Sequence, residues 1–173
     1  MSEPKLILKP GRGESVERRH PWIFGGAIAR MEGEAPPGST VEVRSSDGKF
    51  LARAAFNAHS QIAGRIWTWD ESESVDADFF RRRIDRAVAA RNEIGPCSDA
   101  FRWVNAENDG LPGLIVDRYG PFAVCQFLSA GAEKWKSEIV GALADQAGIE
   151  GVYERSDADS REKESSGASR STS

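Results

Sequence analysis

Residues 40–56, Thr-Val-Glu-Val-Arg-Ser-Ser-Asp-Gly-Lys-Phe-Leu-Ala-Arg-Ala-Ala-Phe, decide the fold of the first part of the chain. Apolar and polar side chains alternate over residues 40–44, as in a half-buried β-strand. Asp47 and Gly48 then give a hairpin signal, because both residue types tolerate a positive φ angle. Residues 50–56 supply the returning strand. The stretch therefore predicts a β-hairpin.

Short strands are also predicted on both sides of this hairpin. They cover residues 5–9, 27–31 and 62–69. Residues 13–20 can form only a short helix, because Pro21 disfavours helical geometry at the residue before it. Short strands at this spacing are typical of small barrels. We expect residues 1–70 to form a small β-barrel with one short helix.

A second domain is predicted over residues 76–158, after an acidic, polar segment. Asp76 can cap a helix whose apolar positions recur from Phe80 onwards, and Gly95 should end it. Further strands are expected at residues 101–106, 114–117, 122–128 and 151–155, and a second helix at residues 132–147. This mixture predicts a small α+β unit.

The last residues differ in composition from both domains. From residue 160 onwards the chain has six serines, one threonine and no large apolar residue. Such a segment cannot offset the entropy of the chain by burial. We therefore predict that residues 159–173 are disordered.

Composition limits the class of protein. The 173 residues are 39% hydrophobic and 29% charged, with a net charge of -4, which is typical of a globular protein. No apolar run approaches the roughly 20 residues of a membrane helix, and the start lacks a secretion signal. The two cysteines, Cys97 and Cys125, lack the spacing of a zinc site. We expect a soluble, cytoplasmic protein without a metal.

The basic residues are unevenly distributed and are mostly arginine. Arginine outnumbers lysine by 17 to 6, and residues 1–69 hold 10 basic and 7 acidic side chains. The remaining residues hold 13 basic and 20 acidic side chains. Since the guanidinium group binds phosphate with two parallel hydrogen bonds and stacks on bases, the first part of the chain suggests a nucleic-acid partner.

The densest basic feature lies before a proline and a tryptophan. Arg18 and Arg19 could clamp a phosphate backbone, and His20 or Trp22 could stack on a base. The alternative is that Trp22 and Phe24 pack into the barrel while the arginines form a solvated face.

Arg53 and Arg65 each interrupt an apolar strand. The two-residue period suggests that they share an open face, where phosphate contact is possible, although surface arginines on strands are ordinary. Four aromatic side chains on the strands are better explained as core than as stacking platforms: Phe50, Phe56, Trp67 and Trp69.

Neither cysteine is assigned a catalytic role. Cys97 follows Pro96, as does the nucleophile of enzymes that methylate C5 of pyrimidines, but no cofactor motif lies nearby. Cys125 lies in an apolar strand and is expected to be buried and inert.

Several motifs in the same order resemble the bacterial 23S rRNA (cytosine-C5) methyltransferase family of the RlmI type. They are Arg-Arg-His-Pro-Trp-Ile-Phe-Gly-Gly-Ala-Ile at residues 18–28, Asp-Gly-Lys-Phe-Leu-Ala-Arg at 47–53, Ser-Gln-Ile at 60–62 with Arg65, Asn-Asp-Gly-Leu-Pro-Gly-Leu-Ile-Val-Asp-Arg-Tyr-Gly at 108–120, and Tyr-Glu-Arg-Ser-Asp at 153–157. The resemblance covers residues from about 5 to 164.

The resemblance implies a PUA-type β-barrel followed by a central α+β domain. In the family, a Rossmann-like domain comes next, binds S-adenosylmethionine and carries the catalytic cysteine. We expect that domain, and with it the cofactor and any catalytic residue, to be absent from this chain. The expected partner is 23S rRNA, and the expected RNA contacts are Arg18, Arg19, His20, Arg53 and Arg65.

Two other interpretations remain open. The chain could belong to an active, longer rRNA methyltransferase. It could instead be a truncated remnant without function, whose central domain exposes apolar surface and associates with itself.

Overall fold

The structure is a computed structural model that describes residues 3–91 and 98–155. These residues form two compact units, residues 3–74 and residues 75–155. The sequence had suggested domains of residues 1–70 and 76–158. Cys97 and the tail predicted to be disordered lie outside the described residues.

The first unit is built on a six-stranded sheet. Its elements are β1 (Lys5–Leu8), α1 (Glu14–Glu17), β2 (Trp22–Phe24), β3 (Ile28–Glu32), β4 (Thr40–Arg44), β5 (Phe50–Phe56) and β6 (Ile62–Thr68), with a 3-10 turn at Gly25–Ala27. The strands follow the order β2-β6-β5-β4-β1-β3, so that β2 and β3 lie at the two ends of the described sheet.

The predicted hairpin is the antiparallel pair β4–β5. Its turn is wider than two residues: the Ser45 N–H donates to the Lys49 carbonyl at 2.9 Å, and Gly48 supplies the positive φ of 89°. On β4, Val41 and Val43 point into the core, as the alternation predicts. The rest of this core comes from the other strands and α1, and includes Leu6, Leu8, Val16, Ile23, Ala54 and Ile66.

The second unit combines a four-stranded sheet with helices. Its elements are α2 (Ala77–Ala89), β7 (Ala100–Asn105), β8 (Leu114–Tyr119), β9 (Phe122–Phe127), α3 (Ala130–Lys134), α4 (Lys136–Ala144) and β10 (Gly151–Glu154), with a 3-10 turn at Ala106–Asp109. The sheet order is β10-β9-β8-β7. Within the described residues, no helix is long and apolar enough to cross a membrane.

Two helix predictions need correction. Asp76 caps α2 as expected, accepting the Phe79 N–H at 2.8 Å, but the helix ends at Ala89 rather than near Gly95. The helix predicted over residues 132–147 is two helices, because the backbone at Trp135 leaves helical geometry (φ -97°, ψ 18°). Spacing of apolar residues by four does not detect a break that preserves the buried face.

Both sheets are mixed, which the predicted fold class did not anticipate. Strand β1 runs parallel to β4, and β10 runs parallel to β9, while the other pairs are antiparallel. An α+β arrangement built from hairpins implies antiparallel neighbours. Side-chain alternation is the same for either strand direction, so the sequence pattern carries no information on this point.

Candidate nucleic-acid interface

The first unit brings arginine and aromatic side chains together where α1 leads into β2. We call this surface the α1–β2 corner and define it by Arg18, Arg19, His20, Trp22, Phe24 and Arg65. Four of these six residues were expected RNA contacts. The local backbone explains how they come together.

The corner begins with a chain reversal at Arg19. The His20 N–H donates to the Ser15 carbonyl and the Arg19 N–H to the Val16 carbonyl, both at 2.9 Å, which is the bond pattern of a Schellman motif. Glycine usually holds the left-handed position of this motif, but here Arg19 has a φ of 65°. A side chain in that conformation costs about 1 kcal/mol, so the sequence keeps an arginine where glycine would be more stable.

Trp69 fixes this reversal from the end of the barrel. Its indole Nε1–H donates to the Val16 carbonyl at 2.9 Å, which is one of the last carbonyls of α1. The Arg19 guanidinium lies over the Trp69 ring, 5.3 Å from its centroid. The tryptophan therefore holds both the helix end and the direction of the arginine.

The aromatic part of the corner comes from the alternation on β2. Ile23 points into the core, so Trp22 and Phe24 point the other way, and Phe24 is 50% exposed. The His20 ring lies 5.9 Å from the Trp22 ring and 6.5 Å from the Phe24 ring. The interpretation that Phe24 packs into the barrel is wrong.

Two further guanidinium groups complete the corner. Arg65 is the strand partner of Trp22 across β2 and β6, and its guanidinium lies 6.0 Å from the Trp22 ring centroid. The Arg18 side chain is 82% exposed, and its ion pair with Glu14 is long, at 3.9 Å. An exposed pair of this length contributes little to stability, so Arg18 can turn to an incoming anion.

Lys49 balances the negative charge of Glu17, which lies on α1 near the corner. Its Nζ lies 2.8 Å from Glu17 Oε1, and this hydrogen bond raises the pKa of Lys49 above its ordinary value. The pair neutralises the Glu17 carboxylate of α1, which would otherwise repel phosphate. Such a surface can bind phosphate through its guanidinium groups and stack a base on its rings.

Arg53 has a different environment from the other expected contacts. Its side chain is 14% exposed, and its Nε lies 3.1 Å from Glu3 Oε2. Its Nη1 donates to backbone carbonyls of the segment after β6, at 2.8 Å to Glu71 and 3.2 Å to Glu73. The strand register does place Arg53 and Arg65 on one face of the sheet, but the donors of Arg53 already serve the protein itself.

The strand aromatics mostly follow the core prediction. Trp67 is 1% exposed, while Phe50, Phe56 and Trp69 are half-buried at the edges of the core. Sequence reasoning missed Phe24 as a corner residue. The alternation over residues 22–24 could have identified it, because an inward-pointing Ile23 directs both Trp22 and Phe24 outward.

The described cysteine matches its expectation. Cys125 is fully buried in β9, and this burial raises the pKa of its thiol to about 12. A thiol that stays protonated at neutral pH is a poor nucleophile.

The first unit matches a known domain family. Residues 6–69 match the model of the PUA-like domain family. A protein of Shewanella frigidimarina named ribosomal RNA large subunit methyltransferase I is 52% identical over 163 residues, covering 92% of this chain. The chain is therefore similar to the N-terminal part of these methyltransferases. It spans 41% of the length of that relative, at the N-terminal end.

Solved structures of methyltransferases share the fold. A protein from Streptococcus mutans described as a SAM-dependent methyltransferase has a TM-score of 0.76 over 88% of this chain and 40% of its own, at 18% identity. A methyltransferase solved with SAH has a TM-score of 0.77 over 90% of this chain and 40% of its own, at 18% identity.

These matches correct the predicted fold class. The expectation of an α+β chain from which a Rossmann-like methyltransferase domain is absent is wrong, because the chain shares its fold over most of its length with two solved methyltransferases and both of its sheets contain a parallel pair. The expectation rested on the resemblance, in which the Rossmann-like domain follows the residues that match.

One groove of the first unit does not fit S-adenosylmethionine. It is lined mostly by charged and hydroxyl side chains, among them Lys5, Arg30, Glu32, Arg44 and Ser45. It lacks the apolar walls on which an adenine ring packs. We therefore derive no chemical step through the cofactor.

Proposed function

We propose that this chain is the RNA-binding part of a rRNA (cytosine-C5) methyltransferase and that it binds structured 23S rRNA at the α1–β2 corner. Methyl transfer then depends on the rest of the protein that its relatives have, with S-adenosylmethionine as the donor. The proposal places the protein in the cytoplasm, where ribosomal RNA is modified.

The single observation that carries the proposal is the arrangement of Arg19 and Arg65 over Trp69 and Trp22. Each guanidinium packs against a ring that directs its plane, and a guanidinium binds phosphate oxygens through the donors at its edge. Arg18 adds an exposed positive charge on the preceding residue, and His20 adds a ring. The match to a PUA-like domain and the similarity to rRNA methyltransferases support RNA as the ligand.

Arg53 enters the proposal as a positioning residue. It ties Glu3 and the segment after β6 to the sheet, and this segment follows Trp69, which directs Arg19. Its effect on RNA binding is therefore expected to be indirect.

Filter binding of 23S rRNA fragments across a salt series tests the proposal. We expect tight binding at low salt that weakens as salt rises, and a loss of affinity when Arg18 and Arg19 are changed to alanine. Arg81→Ala is the matched control, because Arg81 lies in the second unit and pairs with Asp145. Binding that the Arg18 and Arg19 changes leave unaltered would overturn the proposal.

Isothermal titration with S-adenosylmethionine tests the second part. We expect no heat of binding from this chain alone. Measurable binding would show that the chain holds the cofactor and would support the alternative of an active methyltransferase.

A further inference from the structure

The second unit has an exposed aromatic surface on its sheet. Tyr119 is 52% exposed, Phe122 39% and Tyr153 58%, which makes them three of the four large apolar side chains exposed in the described residues. Tyr119 and Phe122 are strand partners across β8 and β9. The Phe122 and Tyr153 rings meet edge to face with centroids 5.6 Å apart. The three side chains form one patch.

The strand register assigns this patch to one face of the sheet. Tyr153 pairs with Val124, and Asp117 also pairs with Val124, so these residues lie on the same face as Phe122 and Tyr119. The opposite face carries the buried side chains of Val116, Cys125 and Phe127, with the helices packed on that side. The aromatic patch is therefore on the side of the sheet away from the helix-covered core.

Charge on this face differs from charge on the helical side. Arg102 lies on it, paired to Asp117 at 2.8 Å. Arg155 follows Tyr153 by two residues, and its N–H donates to the Cys125 carbonyl at 2.8 Å, which extends the ladder and puts Arg155 on the same face. Two arginines thus face one aspartate. The helical side carries charges of both signs, since Asp145 pairs with Arg81 and Glu133 with Lys136.

We propose that this face, defined by Arg102, Tyr119, Phe122, Tyr153 and Arg155 and called the aromatic sheet face, binds an unpaired RNA strand by stacking its bases on the exposed rings. Exposed rings on a sheet offer π-faces that every base can use, and flanking arginines contact the backbone. An excess of positive charge in an otherwise acidic unit favours an anionic partner over a second copy of this chain.

This inference rests on the proposed function, because it assumes that RNA is the ligand of the protein. It adds a second site that reads unpaired nucleotides, while the α1–β2 corner holds structured RNA. The two sites can be separated experimentally because their residues do not overlap.

The test uses the 173-residue chain carrying Arg18→Ala, Arg19→Ala and Arg65→Ala, so that the corner contributes little. Fluorescence anisotropy measures its affinity for a labelled unpaired RNA of about ten nucleotides. Phe122→Leu with Tyr153→Leu keeps apolar bulk but removes the rings, and we expect binding to weaken about 5-fold to 150-fold. The matched control is Tyr153→Phe with Phe122→Tyr, which keeps both rings and should keep the affinity.

A cross-linking readout locates the contact directly. RNA carrying 5-iodouridine should cross-link to Phe122 or Tyr153 on irradiation, with the adduct mapped by mass spectrometry. Cross-links confined to the helical side would overturn the inference, as would equal affinity of the leucine and control variants. If the leucine changes instead convert a dimer to a monomer in sedimentation without altering RNA affinity, the face is a protein interface and the inference is wrong.

Failure of this inference is distinguishable from failure of the proposed function. If the unaltered chain binds a structured 23S fragment but the aromatic sheet face does not affect unpaired RNA, only the second site is lost. If the unaltered chain binds neither RNA, both proposals fall.

Discussion

Arg53 and Arg65 are arginines on adjacent strands of one sheet, on the same face, yet they have opposite environments. Arg53 is held by the Glu3 carboxylate and by backbone carbonyls. Arg65 is half-buried, and its guanidinium lies 6.0 Å from the centroid of the Trp22 ring. A carbonyl or carboxylate occupies the donors of a guanidinium, whereas a ring directs its plane and leaves the donors at its edge. The neighbours of an arginine therefore decide whether it stabilises the fold or binds a ligand.

The largest expected effect comes from removing Arg53. Arg53→Ala removes the cation that Glu3 and Glu42 share, and it removes a donor to the carbonyls of Glu71 and Glu73. We expect the free energy of unfolding to fall by about 3 kcal/mol, as for the loss of one partner from a largely buried pair. Urea denaturation measures it.

Arg30→Ala is the control for this loss. The Arg30–Glu32 pair is exposed, with its two side chains 61% and 45% accessible, so its removal should cost less than about 0.5 kcal/mol. If Arg30→Ala and Arg53→Ala lower the free energy of unfolding equally, the largely buried contacts of Arg53 do not stabilise the fold more than an exposed ion pair does.

A smaller effect is expected on RNA affinity at the corner. Arg19→Ala and Arg65→Ala should each weaken binding of a 23S fragment about tenfold, the loss of one charge-assisted phosphate contact. Neither change should lower the stability of the fold by more than about 1 kcal/mol, because Arg19 is exposed and Arg65 is only half-buried. Filter binding and urea denaturation of the same samples measure the two quantities. If a variant loses stability but keeps its affinity for RNA, the substituted arginine stabilises the fold, as Arg53 does, and does not bind RNA.

The smallest effect concerns the backbone under Arg19. Arg19→Gly relieves a left-handed side chain and should raise the free energy of unfolding by about 0.5 kcal/mol, after allowing for the lost contact with Trp69. Arg18→Gly, one residue earlier at a φ of -79°, should lower it by a similar amount. A stability gain with a loss of RNA affinity would show that Arg19 is retained for binding. If Arg19→Gly and Arg18→Gly both raise or both lower the free energy of unfolding, the left-handed backbone at Arg19 is contradicted.

The sequence predicted strands and faces better than it predicted contacts. Alternation over residues 40–44 correctly placed Val41 and Val43 inside, and Asp76 correctly marked the start of α2. Whether Arg53 stabilises the fold or contacts RNA depends on Glu3, which is fifty residues away in the sequence and contacts Arg53 only in the folded chain. Sequence patterns report local periodicity and cannot report such partners.

The sequence pattern did not predict the strand directions or the break between α3 and α4, for similar reasons. The parallel pairs β1–β4 and β9–β10 leave side-chain alternation unchanged, and the break at Trp135 keeps the apolar spacing of the two helices. The interpretation that placed Phe24 in the core followed from the tendency of apolar side chains to be buried, but its neighbour Ile23 takes the inward position on that short strand. Where a strand is three residues long, one side chain decides the face of the others.

NMR of the five tryptophan indole groups tests the central claim most directly. The chain is titrated with a structured 23S rRNA fragment, and each Nε1–H signal is assigned by single Trp→Phe changes. If RNA binds at the α1–β2 corner, the signals of Trp22 and Trp69 shift, while that of the buried Trp67 barely moves. Shifts confined to Trp103 and Trp135 of the second unit, or no shifts at all, would contradict the account.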